Sequence, residues 1–175
     1  MPTHRTSFRA LIAALDLQPH PEGGHYREVF RSGLQVPFLG AQRSAGTSIY
    51  YLLAQGAYSA WHRIDADEIW CFHAGGLLDL HVVLPDGGLR THRLGDPLTQ
   101  PGAVYQAAVP AGCWFAAKLA DPDDFVLAGC VVAPGFEFSG FQLAGEADLA
   151  DVIGRHGDWV RRLLAGPADA QVSDG

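Results

Sequence analysis

Phe8, Leu11, Ile12 and Leu15 fall at i, i+3, i+4 and i+7, the spacing that puts apolar side chains on one face of a short helix. Ser7 or Thr6 is placed to cap it. The run Gln18-Pro19-His20-Pro21-Glu22-Gly23-Gly24 follows, and two prolines with paired glycines sustain neither a helix nor a central strand. From His25 the period shortens to two. Brief β-like runs at 25–31, 47–54, 57–62, 68–73, 77–84, 89–94, 104–109, 113–119 and 125–133 are separated by turn residues. Asp86-Gly87-Gly88 between two of them is a hairpin signal. Short strands at this spacing predict a sandwich or barrel. Helical periodicity returns over 146–165 through Leu149, Val152, Ile153, Val160, Leu163 and Leu164, with Gly154 and Gly157 expected to divide it into two short helices. Neither a repeat nor a linker interrupts the pattern, so residues 1–165 read as one domain, followed by a small polar tail, 166–175, expected to be flexible.

Composition narrows the class. A chain of 175 residues is long enough for one core and buries about 70% of the surface its unfolded form exposes. With 48% hydrophobic and 18% charged residues it is globular in type. No apolar run reaches the ~20 residues that span a bilayer. Residues 1–15 carry two arginines and then apolar positions at helical spacing, which is not the pattern of a signal peptide. The expectation is a cytoplasmic protein with no membrane partner. Net charge is −7 and the twelve Lys and Arg residues are scattered, so no basic stripe is available for nucleic acid. Cys71, Cys113 and Cys130 are odd in number and lack CxxC spacing, which reads as small buried thiols in a reducing compartment.

Candidate chemistry concentrates between Gly56 and Gly75. On a strand alternate side chains share a face, so an inward His62 brings Tyr58 and Ala60 with it. A turn at Ile64–Asp67 returns the chain, placing Glu68 beside His62 with Trp70 and Phe72 on the same face. An inward carboxylate is costly unless paired, so His62, Arg63 or Arg43 is its expected partner. His62 and Glu68 are the catalytic candidates. Trp70, Phe72 and Trp114 are expected as wall, and only one of Tyr50 and Tyr51 can face inward. His73 should face away from Glu68. The segment His20–Arg31 holds two His, two Glu, two Arg and a Tyr around paired glycines. It reads either as a solvated loop or as a cover bringing Glu22, Tyr26 and Arg31 to a ligand. Phe136, Phe138 and Phe141 are expected to plug a barrel end.

Gly56, His62, Glu68 and Gly75 have the spacing of the first cupin motif, and Pro110-Ala111-Gly112 opens the second. Two of the four usual metal ligands are replaced, by Ile64 and Phe115. A narrower resemblance runs along most of the chain. Pro19–Gly24 with Tyr26–Glu28 and Arg31-Ser32, Thr47–Leu53, Trp61–Ile64 with Asp67–Trp70, Val109–Trp114 and Cys130–Phe138 are similar to the cupin-5 family of unknown function. The resemblance implies a mostly β fold, a cupin double-stranded β-helix or jelly-roll-like barrel with short N- and C-terminal helices, assembled as a homodimer. Cys71 stands where the family has a His, and Ser139-Gly140 replaces an acidic position; both changes bear on ligand preference.

Three functions stay open. One is a metal-independent enzyme in which His62, polarised by Glu68, moves a proton next to a carbonyl of a sugar derivative, as in isomerisation or epimerisation; its link to dTDP-sugar epimerases is shared fold alone. The second is a metal-dependent cupin holding a divalent ion through His62, Glu68 and an added ligand such as Gln106. The third is a binding or storage module that shelters a small polar molecule without turnover. No cofactor is expected in the first and third.

Overall fold

The computed structural model describes residues 8–165; the proposed caps Thr6 and Ser7 and the tail 166–175 lie outside the described residues. Helix α1 (Phe8–Leu15) leads into β1 (Gln18–Pro19) and β2 (His25–Arg31). A hairpin of β3 (Gln35–Phe38) and β4 (Ala41–Ser44) precedes β5 (Thr47–Ala54), β6 (Tyr58–Arg63) and β7 (Asp67–Gly75). Then come β8 (Leu78–Val83), β9 (Leu89–Leu94), β10 (Gln106–Val109), β11 (Phe115–Leu119), β12 (Phe125–Ala133) and β13 (Gln142–Leu143), and last α2 (Ala150–His156) between short 3-10 turns.

The strands form two facing antiparallel sheets, in the orders β1-β2-β5-β12-β7-β10 and β13-β6-β11-β8-β9. Alternation along β5 and β12 turns Tyr51, Leu53, Val126, Ala128 and Cys130 into the space between them, where they meet Trp70, Leu80, Val82 and Phe115. One part of the outer face of the first sheet is covered by α1, whose Phe8, Leu11, Ile12 and Leu15 pack on Leu52 and Leu127. The outer face of the second is covered from the C-terminus, Leu149, Val152, Ile153 and Val160 meeting Trp61 and Ala116. The mostly β architecture with a short helix at each end is therefore as the periodicity predicts.

Three local differences have physical reasons. The β3–β4 hairpin escapes the pattern because its residues alternate weakly and it pairs only with itself. The strand expected over 113–119 starts at Phe115, since Pro110 and Gly112 (φ +77°) keep the preceding segment a turn. α2 runs through Gly154 and stops at Gly157, whose φ of +93° no other residue type adopts cheaply.

Candidate functional site

His62 reaches the barrel interior by a route that simple alternation does not predict. Where β6 pairs with β11, His62 lies opposite Phe115 and Ser59 opposite Ala117, so β6 takes three steps while β11 takes two. This β-bulge inserts one residue and reverses parity. Ser59 and His62 consequently share the inner face. Tyr58 and Trp61 turn outward, Tyr58 donating its hydroxyl to the Leu164 carbonyl and Trp61 its indole N–H to Val160. The expectation that Tyr58 accompanies His62 is thus corrected.

The bulge also receives the glycine-rich segment. The freed N–H of Ala60 donates to the Glu22 carbonyl at 2.8 Å. Ser59 Oγ donates to Glu22 Oε1 at 2.9 Å, and His62 Nε2 lies 3.0 Å from Glu22 Oε2. Glu22 is therefore gripped at its backbone and at both carboxylate oxygens. The approach needs Gly24 (φ +70°), because a Cβ there would lie 2.6 Å from the Leu52 carbonyl and 2.7 Å from the Leu53 side chain. Tyr51 closes the contact by donating its hydroxyl to the Gly23 carbonyl at 2.7 Å.

The cavity so formed is about 130 Å³ in volume. Glu22, His62, Glu68 and His20 make its inner end. Thr47, Ile49, Ile64, Cys130 and Val132 form its walls, and Tyr26, Glu28, Arg31, Phe136, Glu137 and Phe138 its more exposed rim. Of the residues proposed from sequence, Glu22, Tyr26, Arg31, His62 and Glu68 meet here.

The other proposed ligand-binding residues line other parts of the protein. Tyr50 packs outward with the α1 cluster. Tyr51 faces inward beneath the loop, and Trp70 stacks edge-on against it at 5.3 Å, deeper in the barrel with Phe72. Gln106 is exposed, because Ala107 and Val109 take the inward positions of β10. Trp114 lies under the Arg63 guanidinium at 4.5 Å, ahead of β11. These aromatics fill the barrel or its outer faces, whereas the cavity occupies the end nearest the β6–β7 turn. Phe136 and Phe138, expected as a plug, sit on the rim; Phe141 packs on the His62 ring at 5.4 Å.

The expected Glu68–His62 pairing is replaced by Glu22–His62. Neither proposed arginine substitutes: Arg43 bonds Asp65 at 2.7 Å and Arg63 bonds Gln142. Among the described residues no ion pair reaches Glu68, which receives only a hydrogen bond from the Cys130 thiol. Burial pushes its carboxyl up, and Glu22 adds to the rise against the pull of His62, to about 7. Burial also opposes ionisation of Glu22, but the charge of His62 and the bonds from His62 and Ser59 outweigh it, to about 2. His62 is raised for the same reason, Glu22 overcoming burial. Its Nδ1 faces the Ala60 carbonyl at 2.7 Å, so both ring nitrogens meet acceptors and both carry protons. His62 is a held imidazolium. Burial lowers His20, whose Nδ1 accepts the Glu22 N–H at 3.2 Å, and the remaining proton of the neutral ring is then on Nε2.

This donor set does not fit the metal of other cupins. Both His62 nitrogens are engaged, and the positions of two further ligands are Ile64 and Phe115. Among the described residues no group of three His, Cys, Asp or Glu is arranged to hold an ion.

Sequence reasoning missed His20, Glu28, Thr47, Ile49, Ile64, Cys130, Val132 and Glu137 as lining. Strand parity was the available signal for Thr47 and Ile49, which share the inward face of Tyr51 on β5. No local signal marks Glu137, which reaches the rim only through the fold.

Known proteins place these features. The chain matches the family described as Cupin superfamily (DUF985) over residues 9–144. It is 30% identical to an uncharacterised protein of Saccharomyces cerevisiae, over 88% of this chain and 84% of that one. A solved hypothetical protein from Leishmania major is 33% identical with a TM-score of 0.82, covering 90% of this chain and 98% of its own. A solved protein from Shewanella oneidensis is 38% identical with a TM-score of 0.80, covering 90% and 97%. The two-sheet barrel, its helical ends and the site spacing agree with that match, and the chain belongs to this cupin family.

Proposed function

We propose that this protein binds a small polar molecule, of the size of a sugar derivative or smaller, in the cavity at the Glu22–His62–Glu68 end of the barrel, with no metal ion required. One observation carries the reading. Glu68 is an inward carboxyl, 7% exposed, with no cationic partner among the described residues, while the neighbouring His62 and Glu22 neutralise each other. Folding leaves such a group unpaired at a cost, and a ligand that hydrogen-bonds to it recovers that cost. Screening small polar fragments by ligand-detected NMR tests this. Binders of wild-type protein should lose most of their signal with Glu68→Gln, and binders indifferent to that substitution would refute the assignment.

A proton-transfer enzyme is the second reading, favoured by a specific feature. Glu68 titrates near 7, where a general acid or base is most effective, and Tyr26 lines the same cavity. The role first assigned to His62 passes to Glu68, because both nitrogens of His62 are bonded. Solvent deuterium entering a bound hydroxy-ketone at a rate abolished by Glu68→Gln would support turnover; no exchange above the uncatalysed rate would leave binding alone.

The reading extends to a homodimer. Phe30, Val131 and Ile69 lie in one row across the outer face of the first sheet, in register through Ser48, and all three are exposed. An exposed apolar row on a sheet face is what a second copy would cover.

A further inference from the structure

The cavity has more negative than positive groups, and its positive groups are already committed. Four carboxyls line it, Glu22, Glu28, Glu68 and Glu137, against the cations Arg31 and His62. Arg31 donates to both oxygens of Glu28 at 2.9 Å, to Glu137 at 2.8 Å and to the Phe136 carbonyl at 2.9 Å. His62 is bound on both nitrogens. An anionic ligand therefore finds no unengaged cation. Glu68 stays without a counter-charge at the inner end, while rings of Tyr26, Phe136 and Phe138 border the space. Phe136 and Phe138 meet edge to face at 5.0 Å on that border.

From this arrangement we infer that the ligand of this cavity carries a protonated amine, whose ammonium group is the counter-ion of Glu68, the rest of the ligand extending toward the aromatic rim. The inference rests on the proposed binding function and specifies its ligand class. An ammonium donates charge-assisted hydrogen bonds to a carboxylate, which a neutral or anionic group of the same size does not match. The net charge of −7 favours approach of cations from solution. Because Glu68 titrates near 7, capture of an ammonium at neutral pH expels a proton from it.

Three probes of one size and different charge separate the possibilities: ethanolamine, ethylene glycol and glycolate. Each is titrated into the full-length protein while the amide resonances of Ala60, Cys130 and Phe138 are followed by NMR. Ethanolamine is expected to bind at least tenfold more tightly than the other two. Its affinity should rise about tenfold between pH 6 and 8 as the ionised fraction of Glu68 grows, since an alkylammonium stays protonated across that range. Glu68→Gln should remove both the preference and the pH dependence, and the wild-type pH dependence stands as a test even if that variant folds poorly. Equal or tighter binding of glycolate or ethylene glycol overturns the ammonium assignment and leaves the cavity a binding site. If none of the three moves a cavity resonance, the assignment and the binding reading fall together.

Discussion

Glu22 sets the chemistry of its neighbours. Its carboxylate holds His62 as a cation, and its charge helps keep Glu68 protonated. Glu22→Gln leaves the buried imidazolium without its counter-ion, so a loss of about 3–5 kcal/mol in urea unfolding is expected, together with a fall in the His62 pKa visible by NMR. Ser59→Ala, which removes one hydrogen bond to the same charge, should lose about 1.5–3 kcal/mol and leave His62 charged. Glu68 has the opposite signature. Its folded pKa, about 7, lies above the ordinary carboxyl value of 4.5. The unfolded chain therefore releases the proton first, and this residue's contribution falls as pH rises from 4.5 to 7. The loss is about 3 kcal/mol at 1.36 kcal/mol per pKa unit. Glu68→Gln should flatten that part of the stability profile, and a profile unchanged by the substitution would show that Glu68 is not the titrating group.

Between elements, one device decides the site and a second seals an outer face. The bulge in β6 offers an unpaired N–H and an extra inward residue, and the glycine-rich segment docks on both. Gly24→Ala should separate the two, because a Cβ cannot share space with the Leu52 carbonyl. The expected result is a loss of about 1–3 kcal/mol from strain at positive φ, and a shift of His62 toward a neutral ring as Glu22 withdraws. The second device covers the outer face of the sheet containing β8. His81 sits there against Trp159 at 4.7 Å, with Nδ1 on Thr91 and Nε2 buried without a partner. Burial lowers its pKa to about 4, Lys118 adding to the fall and Asp79 opposing it. A histidine depressed on folding stays neutral while the unfolded chain takes the proton. Stability is thus lost as pH falls from 6.5 toward 4, by about 3 kcal/mol. Tryptophan fluorescence should report an acid transition in that window that His81→Gln moves to lower pH.

For the whole molecule, the apolar row on the first sheet and the charge of the cavity belong to different faces, which allows them to be tested apart. Val131→Glu places a charge in the middle of the row, on the outward side of β12. If a second copy covers that face, sedimentation should show the wild type as a dimer and the variant as a monomer, with the amide resonances around Ala60 little changed. A monomeric wild type at tens of micromolar would dispose of the homodimer. No helix among the described residues is long and apolar enough to cross a membrane.

Much of this protein was legible in its sequence because the signals are local. Period-two runs and turn glycines identify most strands, and the 3.6-residue spacing identifies α1. The interval from His62 to Glu68 is short enough for a turn to bring both to one end of the barrel. The true partner of His62 was not legible. Glu22 precedes it by forty residues, and the pairing depends on a bulge that reverses parity and on a glycine that lets two backbones touch. A charge pair is decided by distance in space, and alternation along one strand carries no information about an inserted residue or a segment arriving from elsewhere. The sequence by itself determined a β barrel with an inward histidine and carboxylate. Only the tertiary structure decided that the histidine is a committed cation and that Glu68 is the cavity carboxyl left without a charge partner among the described residues.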